Sequence, residues 1–335
     1  MLRLSRIRRK WDFDMVFIFI ALCAWNAVAF PTHLHLATTA FMFPLPSSSS
    51  ANPIGWGVRR ALATREVLEK ENSIVGEVTE SSCSQYDEAI LKFLDAKSRE
   101  SPSSLLEQFH VHGWRWHTKS LARDAGRLQK LALKTNLNSV GILKDASDFV
   151  VGFNMMGLQK VESSLFFPWM REKLTEGFRK RPELSKDFNN VLDELETDRL
   201  TVARLGESIS NQVLLACDEK APEAHRSNAI MDIANQAADL QNLVQRMISI
   251  EDTYLVPAIG ATVPVREQKS FSNKVLRKLG ILDSRLHIVG MFDAICEDTD
   301  GKEMKLFQQE IPGITRKIIP RWKRKLYEPK TYMME

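Results

Sequence analysis

The chain is poor in the residues that staple or catalyse. It has 4 cysteines in 335 residues and no CxxC pair. Cys23 falls in an N-terminal segment that is expected to be removed. Cys83, Cys217 and Cys296 remain, too scattered for a disulfide framework, and they are expected to be buried or inert thiols. The apolar stretch Met15 to Trp25 stops well short of the ~20 residues that a transmembrane helix needs. Apolar and polar residues nowhere alternate in the manner of strands. With 46 basic and 42 acidic side chains the net charge is a mild +4, which makes no case for nucleic-acid binding. Nucleophile–base constellations, phosphate loops and nucleotide motifs are absent, so no enzyme class is indicated.

Acidic residues are also missing from one long stretch, Phe30 to Arg65, which holds Arg59, Arg60, Arg65 and the run Ser47 to Ser50. Upstream lie Arg3, Arg6, Arg8, Arg9 and Lys10, then the apolar run, then Ala27-Val28-Ala29. A basic head, a short apolar core and a small-x-small end describe a secretory signal peptide over residues 1–29. Residues 30–65 have the composition of a transit peptide. The junction Ala27-Val28-Ala29-Phe30-Pro31 resembles the cleavage motif of bipartite plastid presequences in diatoms and related algae. That resemblance implies entry into the secretory pathway and then the plastid; the alternative is a secreted or endomembrane protein with a Ser/Pro-rich linker.

What the chain has in abundance is helical periodicity. Residues 66–100 read as flanking helices, with Ala89, Ile90, Phe93 and Leu94 sharing one side. Ser104 with Glu107 forms a capping box, and a first long helix is predicted from about Ser104 to Lys134. Its stripe is Leu106, His110, Trp114, His117, Leu121, Leu128 and Ala132, with His112 and Trp116 off it and expected to meet the short helix before it. A second helix runs from about Asp145 to Glu176 on Val151, Met155, Leu158, Glu162, Leu165 and Trp169, with Pro168 expected to kink it. A third, about Glu183 to Cys217, carries Phe188, Val191, Leu195, Asp198, Val202, Leu205 and Ile209. A fourth, from near Pro222 to about Ile259, carries Ile233, Ala237, Leu240, Val244, Met247, Glu251 and Tyr254. Short links between four long helices predict an all-α, up-down antiparallel four-helix bundle over residues 101–264.

Four polar groups punctuate these stripes: His117, Glu162, Asp198 and Glu251. One imidazole and three carboxylates are a reasonable donor set for iron, manganese or zinc; His110 is a secondary candidate. The opposing reading pairs the acids with His117, His110 or an Arg, because a buried carboxylate must be paired or protonated.

The run Leu158 to Pro168 (LQKVESSLFFP) and the run Met247 to Pro257 (MISIEDTYLVP) resemble the second and fourth helices of the haemerythrin-like family. His117 with Leu121 matches its first helix, and Glu196-Thr197 beside Asp198 its third. The resemblance covers roughly residues 100 to 260. It implies a four-helix bundle and, where intact, a non-haem di-iron centre. Here Leu158, Thr197 and Met247 stand where it expects histidines, so His117, Glu162 and Glu251 are what remains of the ligand pattern. The residues leave two functions open. One is a non-catalytic binding or interaction protein on a degenerate site, without a cofactor and with an unknown protein or small-molecule partner. The other is a non-haem iron or related metal protein that binds oxygen or a similar small ligand.

Residues 265–335 form an appendage of further helices, expected at about Phe271 to Leu279, Asp283 to Cys296, Lys302 to Gln309 and Thr315 to Leu326. The last mixes Arg316, Lys317, Arg321, Lys323, Arg324 and Lys325 with Ile318, Ile319, Trp322, Leu326 and Tyr327. It reads either as a peripheral membrane or partner contact, or as a solvated basic face docked on the bundle by its apolar side.

Overall fold

The computed structural model describes residues 87–100, 105, 107–297 and 301–334. The expected presequence, the whole 66–86 segment and the capping-box Ser104 lie outside the described residues. The chain divides into two units, Met1–Glu88 and Ala89–Glu335, and the long helices belong to the second.

That unit is all-helical, with no strand among the described residues. Helix α1 is Asp87–Glu100 and α2 is His112–Lys134. Helix α3 spans 140–177, α4 is Pro182–Cys217 and α5 spans 223–262. Then come α6, Val265–Leu279; α7, Ile281–Cys296; α8, Lys302–Glu310; and α9, which spans 313–331 and ends in a short 3₁₀ turn, Tyr332–Met334. Helix α2 packs along α5 and α3, and α4 packs along α5 and α3. Their facing stripes make the core, from Leu121 and Leu128 on α2 through Leu158, Leu195 and Leu240 to Met247, all essentially inaccessible to solvent. No helix among the described residues is long and apolar enough to cross a membrane.

Helix α2 starts later than its periodicity predicts. Residues 107–110 are turn and coil. The cause is Gln268 on α6, whose Oε1 accepts the His110 N–H at 2.6 Å while its Nε2 donates to the carbonyls of Gln108 and Val263 at 3.0 and 2.8 Å. A buried side chain thus satisfies backbone groups that a helix would otherwise pair. The segment also runs tight against α5: a Cβ on Gly260 would lie 2.2 Å from the Leu105 carbonyl oxygen, so only glycine fits there.

Pro168 does not end α3, which continues to Gly177. The Phe167 N–H instead reaches back five residues to the Glu162 carbonyl, which opens a π turn over Glu162–Phe166. The same turn occurs in α5, from the Val256 N–H to the Glu251 carbonyl ahead of Pro257, and in α9, from the Glu328 N–H to the Lys323 carbonyl ahead of Pro329. A proline ring collides with the carbonyl four residues back, and a wider turn relieves that collision without ending the helix. The additional residue rotates the buried stripe by about 100°. From the end of each turn onward the core side chains are therefore Phe166, Met170 and Leu174, then Leu255, Ala258 and Ile259; Leu165, Trp169 and Tyr254 are half-buried instead of core.

The appendage lies close to the predicted helices. Helix α7 packs along α2, and α9 packs on α7. Ile319, Tyr327, Thr331 and Met334 of α9 and the turn after it are buried, while Arg316, Lys317, Arg321, Arg324 and Lys325 face outward. His112 and Trp116 meet the appendage and not α1. Trp116 packs on Phe307 and donates its indole N–H to Glu303 Oε2 at 2.7 Å. Helix α1 instead sets Phe93 edge-on against Phe178. Cys217 and Cys296 are unpaired, and Cys296 is exposed instead of buried.

Candidate functional site

Glu162 and Glu251 occupy equivalent places: each opens a π turn six residues ahead of a proline, and each is 1% exposed. Between them lies a guanidinium. Arg199 of α4, itself buried, donates from Nη2 to Glu162 Oε1 at 2.6 Å. Its Nε sits 2.5 Å from Glu162 Oε2, an ion-pair contact without hydrogen-bond alignment. The same Nη2 is 3.6 Å from Glu251 Oε1. Trp114 of α2 adds its indole N–H to Glu162 Oε1 at 2.9 Å and stacks on Phe166. Neither oxygen of Glu251 accepts a hydrogen bond among the described residues. Burial pushes both carboxyls up, with Arg199 opposing, and it pushes Glu251 well up because Glu162 and Asp252 add to the effect. One cation against two acids favours an ionised Glu162 and a protonated Glu251.

His117 on α2 makes different contacts. Its Nε2 lies 3.0 Å from Asn154 Oδ1, an acceptor, so that nitrogen carries the proton. Burial pushes the imidazole down to about 4, and the Arg199 charge adds to the fall. Its ring packs 4.4 Å from that of His287 on α7. A Cβ on Gly157 would lie 2.5 Å from His287, so α3 needs glycine there to admit the ring. Asn154 Nδ2 continues to Asp124 Oδ2 at 2.8 Å, and Asp124 holds Arg123 at 2.6 Å. Arg123 reaches Asp293 at 2.9 Å and Tyr327. The crevice lined by Asp124, Asn154, His287 and Tyr327 has no room for a water molecule.

Asp198 sits at the rim, where both of its oxygens accept from Arg246 Nη2 at 2.6 Å. His110 lies at the far end, its Nδ1 2.8 Å from Glu310 Oε1. The positions where the resemblance expects histidines hold a buried Leu158, a buried Met247 and an exposed Thr197 whose hydroxyl donates to the Asp193 carbonyl. Among the described residues, one set of three or more metal-ligating side chains gathers its donor atoms within 4.8 Å, namely His110, His112 and Glu310. Glu162 and Glu251 are brought together through Arg199; His117, Asp198 and His110 each bond elsewhere.

Arg199, Asn154, Asp124 and His287 are absent from the expected site. A signal existed for two of them. Arg199 falls four residues after Leu195 and three before Val202, and Asn154 falls three after Val151 and four before Leu158, so both lie on the predicted stripes. Comparison with known protein families, with characterised proteins and with solved structures finds no match.

Proposed function

We propose that this chain is a degenerate haemerythrin-like four-helix bundle, acting as a non-catalytic binding and interaction protein. The bundle reading is supported by the neighbour relations of α2 to α5, by the short links between them, and by the twin Glu-x5-Pro turns. One observation carries the functional reading: the Arg199 guanidinium lies between Glu162 and Glu251, where a metal cation would need to be. With leucine, methionine and an outward threonine at the remaining positions, and with His117 bonded to Asn154, these residues do not fit a pair of irons. The outward basic residues of α9 offer a face for an acidic partner or an anionic membrane surface.

The rival reading, a non-haem metal protein that binds oxygen or a similar small ligand through His117 and the core carboxylates, has one observation in its favour. The Glu251 oxygens are buried without hydrogen bonds, and such groups ordinarily have a partner. The full chain, loaded with ferrous iron and then desalted, decides between the two. The interaction reading expects no stoichiometric iron that depends on Glu162 and no oxygen-dependent absorption band, in the wild type and in a His110→Ala background alike. Stoichiometric iron that disappears in Glu162→Gln would overturn it. The plastid address proposed from residues 1–65 is tested by a fluorescent fusion of that segment; retention in the secretory pathway without plastid entry refutes it.

A further inference from the structure

Outside the bundle core, two histidines and a glutamate converge where three segments meet. His110 and His112 flank Val111 at the start of α2, and Glu310 is the last residue of α8. Their donor atoms all lie within 4.8 Å of one another. His112 is 2% exposed, held by a stacked Trp116 at 5.4 Å and an edge-on Phe109 at 5.0 Å. Its Nδ1 is buried and has no hydrogen-bond partner among the described residues. A buried imidazole nitrogen without a partner is unusual, and this one belongs to one of the three side chains whose donor atoms converge.

The backbone of His110 is braced from α6. Its N–H donates to Gln268 Oε1 at 2.6 Å, and its carbonyl accepts from Ser272 Oγ at 3.3 Å. These bonds fix the backbone from which the His110 ring projects. The side chains of His110 and Glu310 are 21% and 26% exposed, which leaves an approach from solvent and a position for water.

We propose that His110, His112 and Glu310 bind one divalent ion of the zinc class, with water completing the coordination. Two imidazoles and one carboxylate are a familiar zinc donor set, and bonds of about 2.0–2.2 Å place tetrahedral donors roughly 3.3–3.5 Å apart. The set closes around the ion by rotation of the two partly exposed side chains, and the ion replaces the hydrogen bond between His110 and Glu310. Bound there, it ties the start of α2 to the end of α8.

The test is a zinc titration of the chelator-treated full chain, with cobalt(II) as the spectroscopic probe. The wild type takes up one tightly bound equivalent at this site, gives the visible bands of tetrahedral cobalt, and melts at a higher temperature with zinc than without. Glu310→Gln preserves the contact with His110 and the fold but removes the anionic donor; it and His110→Ala weaken binding by at least about 100-fold, the upper range for loss of a supporting residue. His225→Ala, an exposed histidine on α5, leaves the affinity unchanged. The proposal is overturned if Glu310→Gln and His110→Ala, with wild-type circular dichroism, bind zinc as tightly as the wild type, or if the wild type gives no cobalt bands. Iron uptake through Glu162 is a separate readout, so failure here does not bear on the bundle-core reading.

Discussion

Glu251 and Glu303 are both buried glutamates whose neighbours include Arg115, yet they titrate in opposite directions. Around Glu303, burial is outweighed by Arg115, by the Trp116 indole and by Lys119, and the carboxyl is held below its usual range. Glu251 has one guanidinium at 3.6 Å, no hydrogen bond, and a second carboxyl nearby; burial wins and the group is pushed well up. Depth and donors act together: the fully enclosed Glu162 and Asp124 are also pushed up although donors reach them, while Asp293, slightly less enclosed like Glu303, is held down. Where enclosure is less complete, several donors outweigh burial and the acid is a docking point; Glu251, enclosed and without a donor, is an uncompensated group. The appendage interface, with Glu303 and Asp293 both multiply bonded and held low, belongs to the first kind; the helix core around Glu251 belongs to the second.

The largest effect is expected from Arg199→Met, which leaves two buried carboxyls facing each other. Breaking a buried pair by removing one partner costs about 3–5 kcal/mol, read as a lowered urea midpoint at pH 7. With Arg199 gone both acids have raised values in the folded state and ordinary ones in the unfolded state. The folded protein then takes up more protons as pH falls, so the variant recovers stability between neutral pH and about 4.5. Adding Glu251→Gln should restore part of the loss at pH 7; if it does not, the two acids are not opposed as described.

Glu303→Ala comes next, at about 3 kcal/mol, because it leaves Arg115, Lys119 and the Trp116 indole without their shared acceptor. Limited proteolysis should then cut near Gly301, ahead of α8. A variant with unchanged stability and unchanged cleavage would dissolve the contrast between the two regions.

The smallest of the three is a pH effect at His117. Its value falls from 6.5 to about 4 on folding, so the unfolded chain binds more protons below 6.5 and stability declines as pH drops through that window toward 4. Between pH 7.5 and 5 this amounts to about 2 kcal/mol. His117→Asn should remove that share of the acid-induced loss in chemical denaturation. An identical pH dependence in wild type and variant would show that His117 is not buried neutral.

Much of the helical layout was legible because it is local. Stripes such as Phe188–Val191–Leu195 and the breaks at Asn136, Pro182 and Pro222 place helices within a few residues of those observed. Boundaries failed where a distant group intervened, as when Gln268 captured the backbone at Gln108 and His110. Stripes failed where the helix widened into π turns ahead of Pro168 and Pro257, and the buried set shifted by one residue. In the site, Glu162 and Glu251 were legible as polar points on apolar faces. Their relation to Arg199 was not, although that residue sits next to Asp198 on the same stripe.

By itself, the sequence determined that this chain is helical, where most helices run, and that two glutamates are set alike ahead of prolines, since these follow from periodicity and backbone sterics. Only the tertiary structure decided what each buried acid faces. Arg199 meets Glu162 across 37 residues and Trp116 meets Glu303 across 187, and such pairings are fixed by packing, on which a local pattern has no purchase.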